Sequence, residues 1–364
     1  MKRLAYVIFL GISTLLLAEG AARLLDLGPE RFHHPWHLES PNKHHGLDVY
    51  PSNPRGAFDL DLRDPATFDA LKRKAIPHLE RAQSRTPYAV AGSYNAELCR
   101  QDPVGPKKKG LPRVLIIGDS FSEGQGVSQD QPFAPVLQKR LADQGHEIEV
   151  INCGRRGYNF PDLLEWTERH LPYEPDLVVY AMILNDPVLT PEFKKRQKFI
   201  DDWILDRRRM VLPNEHMPEA PWWRPRLWSI WREAKAKARV GRETTTWYQE
   251  VLGEPNQAGF EETLVLMQRM RDASEKKGAR FVVVMLPLLV GLEGDYPFAE
   301  AHQIMAQACK EHKLDFFDLL PAFSGKNSSS LWVHETDRHP NEIAHRIIAR
   351  ALVKPVLDRL GSQP

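Results

Sequence analysis

Net charge is almost absent from this chain: 49 Lys and Arg stand against 48 Asp and Glu, a formal charge of +1. That balance excludes the broad basic surface that nucleic-acid binding needs. The basic runs Lys107-Lys108-Lys109 and Arg207-Arg208-Arg209 are short and read as solvated loop faces. Cysteine is scarce as well, with only Cys99, Cys153 and Cys309. An odd number excludes a fully paired framework, and the spacing matches no metal motif. Cys153 lies in an apolar, strand-like context and reads as a small core residue, while Cys99 and Cys309 stay available to pair with each other. The 14 histidines do not group as ligands, and His33-His34 and His44-His45 read as exposed loop residues. No internal repeat is found.

What is present is a globular composition, 42% hydrophobic and 27% charged over 364 residues, ample for a large core. The first residues differ from the rest. Lys2-Arg3 precede LAYVIFLGISTLLLA (4–18), then Glu19 and Arg23. A basic start and an apolar run of this length read, over 1–28, as a signal anchor or a signal peptide. Glu19 and Gly20 make a poor cleavage site, so the anchor is favoured. Lys2 and Arg3 would then stay inside and the body would be exported. The body would face the periplasm or cell exterior from the inner membrane, or be secreted if the signal is cleaved.

Residues 29–110 are rich in Pro, His, Asn and charge and show little period; they read as a linker and irregular layer, with a short helix in 68–82. From 113 strands and helices alternate. Apolar runs at 113–118, 147–152, 176–184, 279–287 and 314–319 read as strands. Helical spacing marks 133–145, 161–171, 260–278, 298–313 and 341–360. Strand and helix in alternation predict an α/β fold, a doubly wound parallel sheet sandwiched by helices, over 111–364. Residues 191–258 interrupt the rhythm and carry Trp203, Trp222, Trp223, Trp228, Trp231 and Trp247. This insertion reads as a lid, a glycan platform or a membrane-facing surface. The plainer reading is that Trp228 and Trp231 glue an inserted helix onto the domain.

The run RVLIIGDSFSEGQG (113–126) ends a buried strand on Gly118-Asp119-Ser120. A phosphate cradle needs lysine where Gln125 stands. A G-x-S-x-G elbow needs glycine where Ser122 stands. The remaining reading is a nucleophilic Ser120 at a strand end, which requires a base, an orienting acid and oxyanion donors. VHETDRHPNEIAHR (333–346) offers Asp337 and His339 just before Pro340-Asn341, where Pro opens the final helix. NCGRRGYN (152–159) offers the Gly157 N–H, and ILNDP (183–187) the Asn185 side-chain amide. These points fall at the carboxyl ends of expected parallel strands or before the last helix, so they converge at one sheet edge.

GDSFSEG, NCGRRGYN, ILND and DRHPN, in that order, resemble the four blocks of the SGNH/GDSL hydrolase superfamily, over about 111–360. YNAELCRQD (94–102) resembles the tyrosine-asparagine strand of its membrane-anchored bacterial members. The resemblance implies a flavodoxin-like fold, Ser120 as nucleophile, His339 as base, and an oxyanion hole from the Ser120 N–H, Gly157 N–H and Asn185. Asp119 would shape the turn, and Asn341 and His345 would serve helix and packing. Two departures stand out. Ile183 replaces a glycine of the third block. The acid falls two residues before His339, where the usual D-x-x-H spacing would point to Thr336; Glu335 is the fallback. The implied activity is a serine esterase acting on an acyl ester, such as an O-acetyl group, of a small molecule or acylated glycan. It needs no metal or organic cofactor. The alternatives are an O-acyltransferase acting on an envelope polysaccharide and a non-catalytic envelope scaffold.

Overall fold

The computed structural model describes residues 2–25, 36–39, 43–50, 88–197, 225–334 and 337–361. The expected helix in 68–82 and Trp203, Trp222 and Trp223 lie outside the described residues. The chain forms two compact units: Met1–His33 with Arg196–Thr246, and His34–Lys195 with Trp247–Pro364.

In the larger unit, five strands form an all-parallel sheet: β4 (Arg113–Gly118), β5 (Glu149–Gly154), β6 (Leu177–Met182), β7 (Arg280–Met285) and β8 (Phe316–Asp318), in the spatial order β5-β4-β6-β7-β8. Every residue of β4 and β6 is buried. Two buried faces leave no polar alternation, which is why these strands read as continuous apolar runs. Val114, Ile116, Leu177, Val179, Val282 and Val284 face one core layer. Against it pack α3 (Phe133–Asp143), through Leu137 and Leu141, and α9 (Glu342–Gly361), through Ala344, Ile348 and Leu352. The remaining long helices are α4 (Asp162–His170), α6 (Gln257–Lys276) and α7 (Ala299–Glu311). All five expected strands and all five expected helices of this fold are present, with shifted ends. From β4 the chain steps one way to β5 and then returns to the other side as β6. That reversal makes the carboxyl ends of β4 and β6 the switch point where such sheets place ligands.

Three features differ from the expectations. The first is in the layer read as irregular. There β1 (Trp36–Glu39), β2 (His45–Tyr50) and β3 (Tyr88–Ser93) form an antiparallel sheet in the order β1-β2-β3. In β2, Leu47, Asp48 and Tyr50 are all buried, polar and apolar alike, so no alternation marks the strand. Tyr94-Asn95 lie just past β3, not in a strand. The second is near the C-terminus, where β9 (Trp332–His334) and β10 (Asp337–Pro340) pair antiparallel. Pro340 therefore ends a strand rather than opening the last helix. Asn341 caps α9, its side-chain oxygen accepting from the Ile343 and Ala344 N–H groups.

The third difference is covalent. Cys99 is bonded to Cys153, and Cys309 is the free, buried cysteine. Both the Cys99–Cys309 option and the packing-only reading of Cys153 are overturned. The link joins the segment after β3 to the end of β5 with Cα atoms 4.3 Å apart.

In the smaller unit, α1 (Lys2–Leu24) is long and apolar enough to cross a membrane; an 18-residue stretch of it has a mean hydropathy of 1.8 and no buried residue, while Ala22 is buried. The helix α5 (Arg226–Glu250) carries Trp228 and Trp231, which are 55% and 52% exposed. Trp247, which belongs to the larger unit, is buried and stacks 5.3 Å from Phe193 of the same unit.

Candidate active site

The chain turns sharply out of β4. Asp119 Oδ1 accepts from the Phe121 N–H at 2.8 Å and so caps the short helix α2 (Ser120–Glu123). This cap sets Ser120 at the helix start, on the switch-point edge. Helix α2 lies directly on the end of β5: a Cβ at Gly154 would collide with the backbone of Ser122 and Glu123. Glycine there is a spatial requirement.

Ser120 Oγ lies 2.8 Å from His339 Nε2. His339 Nδ1 is bonded to Asp337 Oδ1, which also accepts the His339 backbone N–H at 3.1 Å. With Nδ1 donating to a carboxylate, Nε2 is left as the acceptor for the serine hydroxyl. The two-residue spacing follows from β10. The pairing of β10 with β9 is bulged there, three steps from Asp337 to Pro340 facing two from His334 to Trp332, and the Asp337 and His339 side chains meet within this irregular stretch. Asp337 Oδ2 accepts from Tyr50 Oη and Gln125 Nε2, each at 3.1 Å. Glu335 and Thr336 lie outside the described residues.

The remaining site residues gather at the same edge. Asn185 Nδ2 donates to Asp119 Oδ2 at 3.4 Å, and that oxygen is 3.2 Å from Ser120 Oγ. Gly157 is exposed with φ +77°, a left-handed backbone that glycine adopts freely. Its neighbour Arg156 binds Glu123 of α2 through both its backbone N–H and its Nε, each at 2.7 Å. The Gly157 loop is thus fastened to the helix that carries Ser120. Asn341 donates to the Ser330 and Trp332 carbonyls, and His345 Nδ1 accepts from the Phe133 N–H at 3.2 Å; both hold structure.

Buried charge sets the electrostatics. Burial alone would lower the His339 value, but the Asp337 carboxylate, its hydrogen bond and the Asp119 charge outweigh it and hold the imidazole above its ordinary 6.5. Burial alone would raise Asp337; the charge and hydrogen bonds of His339 reverse this and hold it below 3.8. Asp186, fully buried, is pushed well up by desolvation and by the nearby Asp119 charge, and it accepts from Tyr180 Oη at 2.8 Å. Beneath α2, Arg156 bridges Glu123 and Asp48, and Tyr94 Oη donates to Glu123 Oε1 at 2.7 Å.

Sequence reasoning missed Asp48, Tyr50, Tyr94, Gln125 and Arg156. Gln125 stands in the quoted run 113–126, Arg156 in NCGRRGYN and Tyr94 in YNAELCRQD, whereas β2 gives no signal. Among the described residues, the set with ligand-like spacing is Cys99, Cys153 and His170. Its two sulfurs are joined in the disulfide, and both His170 ring nitrogens face backbone carbonyls.

Known proteins bear on this arrangement. Esterase TesA of Pseudomonas aeruginosa is 41% identical over 44 residues, 12% of this chain and 22% of that esterase. The chain therefore aligns with well under two thirds of that relative's length. The crystal structure of TesA superposes with a TM-score of 0.37 at 17% identity, covering 68% of this chain and 98% of the other. An acetylxylan esterase variant from Geobacillus stearothermophilus gives 0.40 at 16%, covering 71% and 98%. A psychrotrophic esterase from Pseudoalteromonas gives 0.40 at 14%, covering 69% and 99%. The profile of one family matches residues 116–347, a span running from β4 into α9 and holding Ser120, Asn185 and His339. By that match the chain belongs to the GDSL-like lipase/acylhydrolase family.

Proposed function

We propose that this chain is an exported, membrane-anchored serine esterase with Ser120 as nucleophile, His339 as general base and Asp337 as the orienting acid. The observation that carries the reading is the relay itself: Ser120 Oγ lies 2.8 Å from His339 Nε2 while Nδ1 is engaged by a buried carboxylate. Nε2 takes the Ser120 proton as Oγ attacks the ester carbonyl. The Ser120 and Gly157 N–H groups and the Asn185 amide receive the oxyanion. The imidazolium protonates the leaving alcohol, and the acyl-enzyme forms. Water, deprotonated by His339, then releases the acid and restores Ser120. The substrate class is an acyl ester of a small alcohol or a glycan.

Export is supported twice. The apolar and largely unburied α1 has the length to span a bilayer. The Cys99–Cys153 bond belongs to an oxidising compartment such as a periplasm or cell exterior.

The test treats the full chain with a fluorophosphonate probe and maps the adduct by mass spectrometry, with Ser120→Ala in parallel. Labelling confined to Ser120 is expected. A folded wild-type protein that stays unlabelled would refute the esterase reading and favour a scaffold.

A further inference from the structure

The family match begins at residue 116, yet the acid of the relay is held from far upstream. Tyr50, the last residue of β2, is fully buried. Its hydroxyl donates at 3.1 Å to Asp337 Oδ2, the oxygen that His339 does not use. Gln125 donates to the same oxygen. The seat for Tyr50 is shaped to receive it. A Cβ at Gly126 would collide with the Tyr50 hydroxyl, so glycine opens the space. The Gly126 N–H donates to Asp48 Oδ2 at 3.0 Å. Asp48 and Tyr50, at i and i+2 of β2, therefore grip the loop after α2 and the acid together. The Tyr50 ring packs with Val90, Val127 and Val333, and lies 5.7 Å from the His334 ring in β9.

We propose that Tyr50 is a positioning residue for the esterase reaction, so that the N-terminal antiparallel sheet is a working part of the active site. The inference rests on the assignment of Ser120, His339 and Asp337 above. With acid and base two residues apart on one strand, the backbone fixes where Asp337 starts but not the rotation of its carboxylate. Donors on Oδ2 fix that rotation and keep Oδ1 facing Nδ1. They also share the anionic charge. Loss of the Tyr50 donor concentrates charge toward His339, raises the imidazole further, and moves the acid limb of the rate profile to higher pH.

The experiment compares wild type, Tyr50→Phe and Ser120→Ala in the full chain on p-nitrophenyl acetate from pH 5 to 9. Tyr50→Phe removes one oxygen and keeps the ring. A hydrogen bond to a charged group predicts a kcat lower by about tenfold or more, with KM unchanged. The acid limb should also shift upward. A purely structural role would lower the melting temperature without moving the limb. Site-specific 3,5-difluorotyrosine at position 50, a stronger donor of nearly the same size, should move the limb the opposite way. Wild-type kcat and an unmoved limb in both proteins overturn the proposal. Full activity in Ser120→Ala would instead overturn the nucleophile assignment and the proposal with it.

A separate observation concerns the smaller unit and assumes that α1 is the anchor. Glu19, near the end of α1, accepts the N–H groups of Arg226 and Leu227 at 2.8 and 3.0 Å. This fastens the first turn of α5 beside the end of the apolar helix. Trp228 and Trp231 follow at once, stacked 4.9 Å apart, with Lys235 over the Trp231 ring at 5.1 Å. Exposed indoles and cations at the end of a span-length helix match the headgroup layer of a bilayer. We infer that this pair is a lipid contact. In nanodiscs, shallow-brominated phosphatidylcholine should quench wild-type tryptophan fluorescence more than that of Trp228→Phe/Trp231→Phe. Equal fractional quenching overturns the inference. Alkaline extraction of membranes reports separately on anchoring by α1.

Discussion

Replacing Arg156 with Met tests what holds the helix of the proposed nucleophile, Ser120, in place. Glu123 is fully buried and Asp48 nearly so, and the Arg156 guanidinium is bonded to both. Removing one partner from a buried ion pair typically costs about 3–5 kcal/mol. Residual donors soften the loss here: Glu123 keeps the Tyr94 hydroxyl and the residue-156 N–H, and Asp48 keeps the Gly126 N–H. Two carboxylates are affected, so the expected destabilisation at neutral pH is about 4 kcal/mol. Its pH dependence is the sharper criterion. In the wild type, burial alone would raise Glu123, but the Arg156 charge and hydrogen bonds reverse this and hold it below its ordinary 4.5. That stabilisation is present above pH 4.5 and disappears as pH falls through the lowered folded value. Without Arg156, burial prevails and the folded value rises above 4.5, so the variant loses stability as pH climbs. The gap between the two proteins must therefore widen from pH 4.5 to pH 7.5. Urea unfolding of the full chain in mild detergent, followed by circular dichroism at both pH values, measures it. An equal gap at the two pH values, or a gap under about 1 kcal/mol at pH 7.5, would refute the reasoning.

Three further outcomes follow from the same geometry. The base must be neutral to act, and Asp337 holds His339 above 6.5; kcat/KM should therefore rise with pH through a midpoint above 6.5, and Asp337→Asn should move that midpoint down, as a pH–rate series will show. Asn185→Ala should lower kcat by about 10²–10³ with the melting temperature unchanged, read by steady-state kinetics beside thermal unfolding. Cys99→Ser opens a loop with a sequence separation of 54. The chain-entropy relation gives a loss of about 4 kcal/mol in denaturant unfolding, which reduction of the wild type should reproduce.

The sequence was most readable where burial is two-sided. RVLIIG and LVVYAM read as strands because both faces are covered, and the helices read from spacing such as Leu137 and Leu141 in α3. Ser120 and His339, proposed as nucleophile and base and 2.8 Å apart, were picked out because both stand at punctuated element ends, Gly118-Asp119-Ser120 and His339-Pro340-Asn341. Legibility failed where long-range pairing made the structure. Parity among three cysteines cannot say that the segment after β3 meets the end of β5. Strand β2 buries Asp48 and Tyr50 through partners 108 and 287 residues away in sequence. No local window holds that information.

The spacing of acid and base shows how local conformation sets such a rule. A D-x-x-H pattern brings two side chains together where the backbone turns between them. A bulged strand can instead bring side chains two residues apart together, because the extra residue re-aims one of them. Residues 337–340 pair with Trp332–His334, Asp337 lying opposite His334 and Pro340 opposite Trp332, so β10 carries one residue more than β9 between these pairs, a bulge at Arg338–His339. The missing residue is thus the counterpart of a strand where a turn was expected, and the Asp337–His339 bond survives it. A strand fixes the direction of both side chains but leaves the carboxylate free to rotate. The two donors on Oδ2, Tyr50 from β2 and Gln125 from the loop after α2, supply that constraint. On this argument the shortened spacing and the added N-terminal sheet are coupled. Restoring a residue between Asp337 and His339 should disrupt the relay rather than repair it. The inserted residue would lengthen a stretch of β10 that already carries a bulge and carry His339 away from the Asp337 carboxylate.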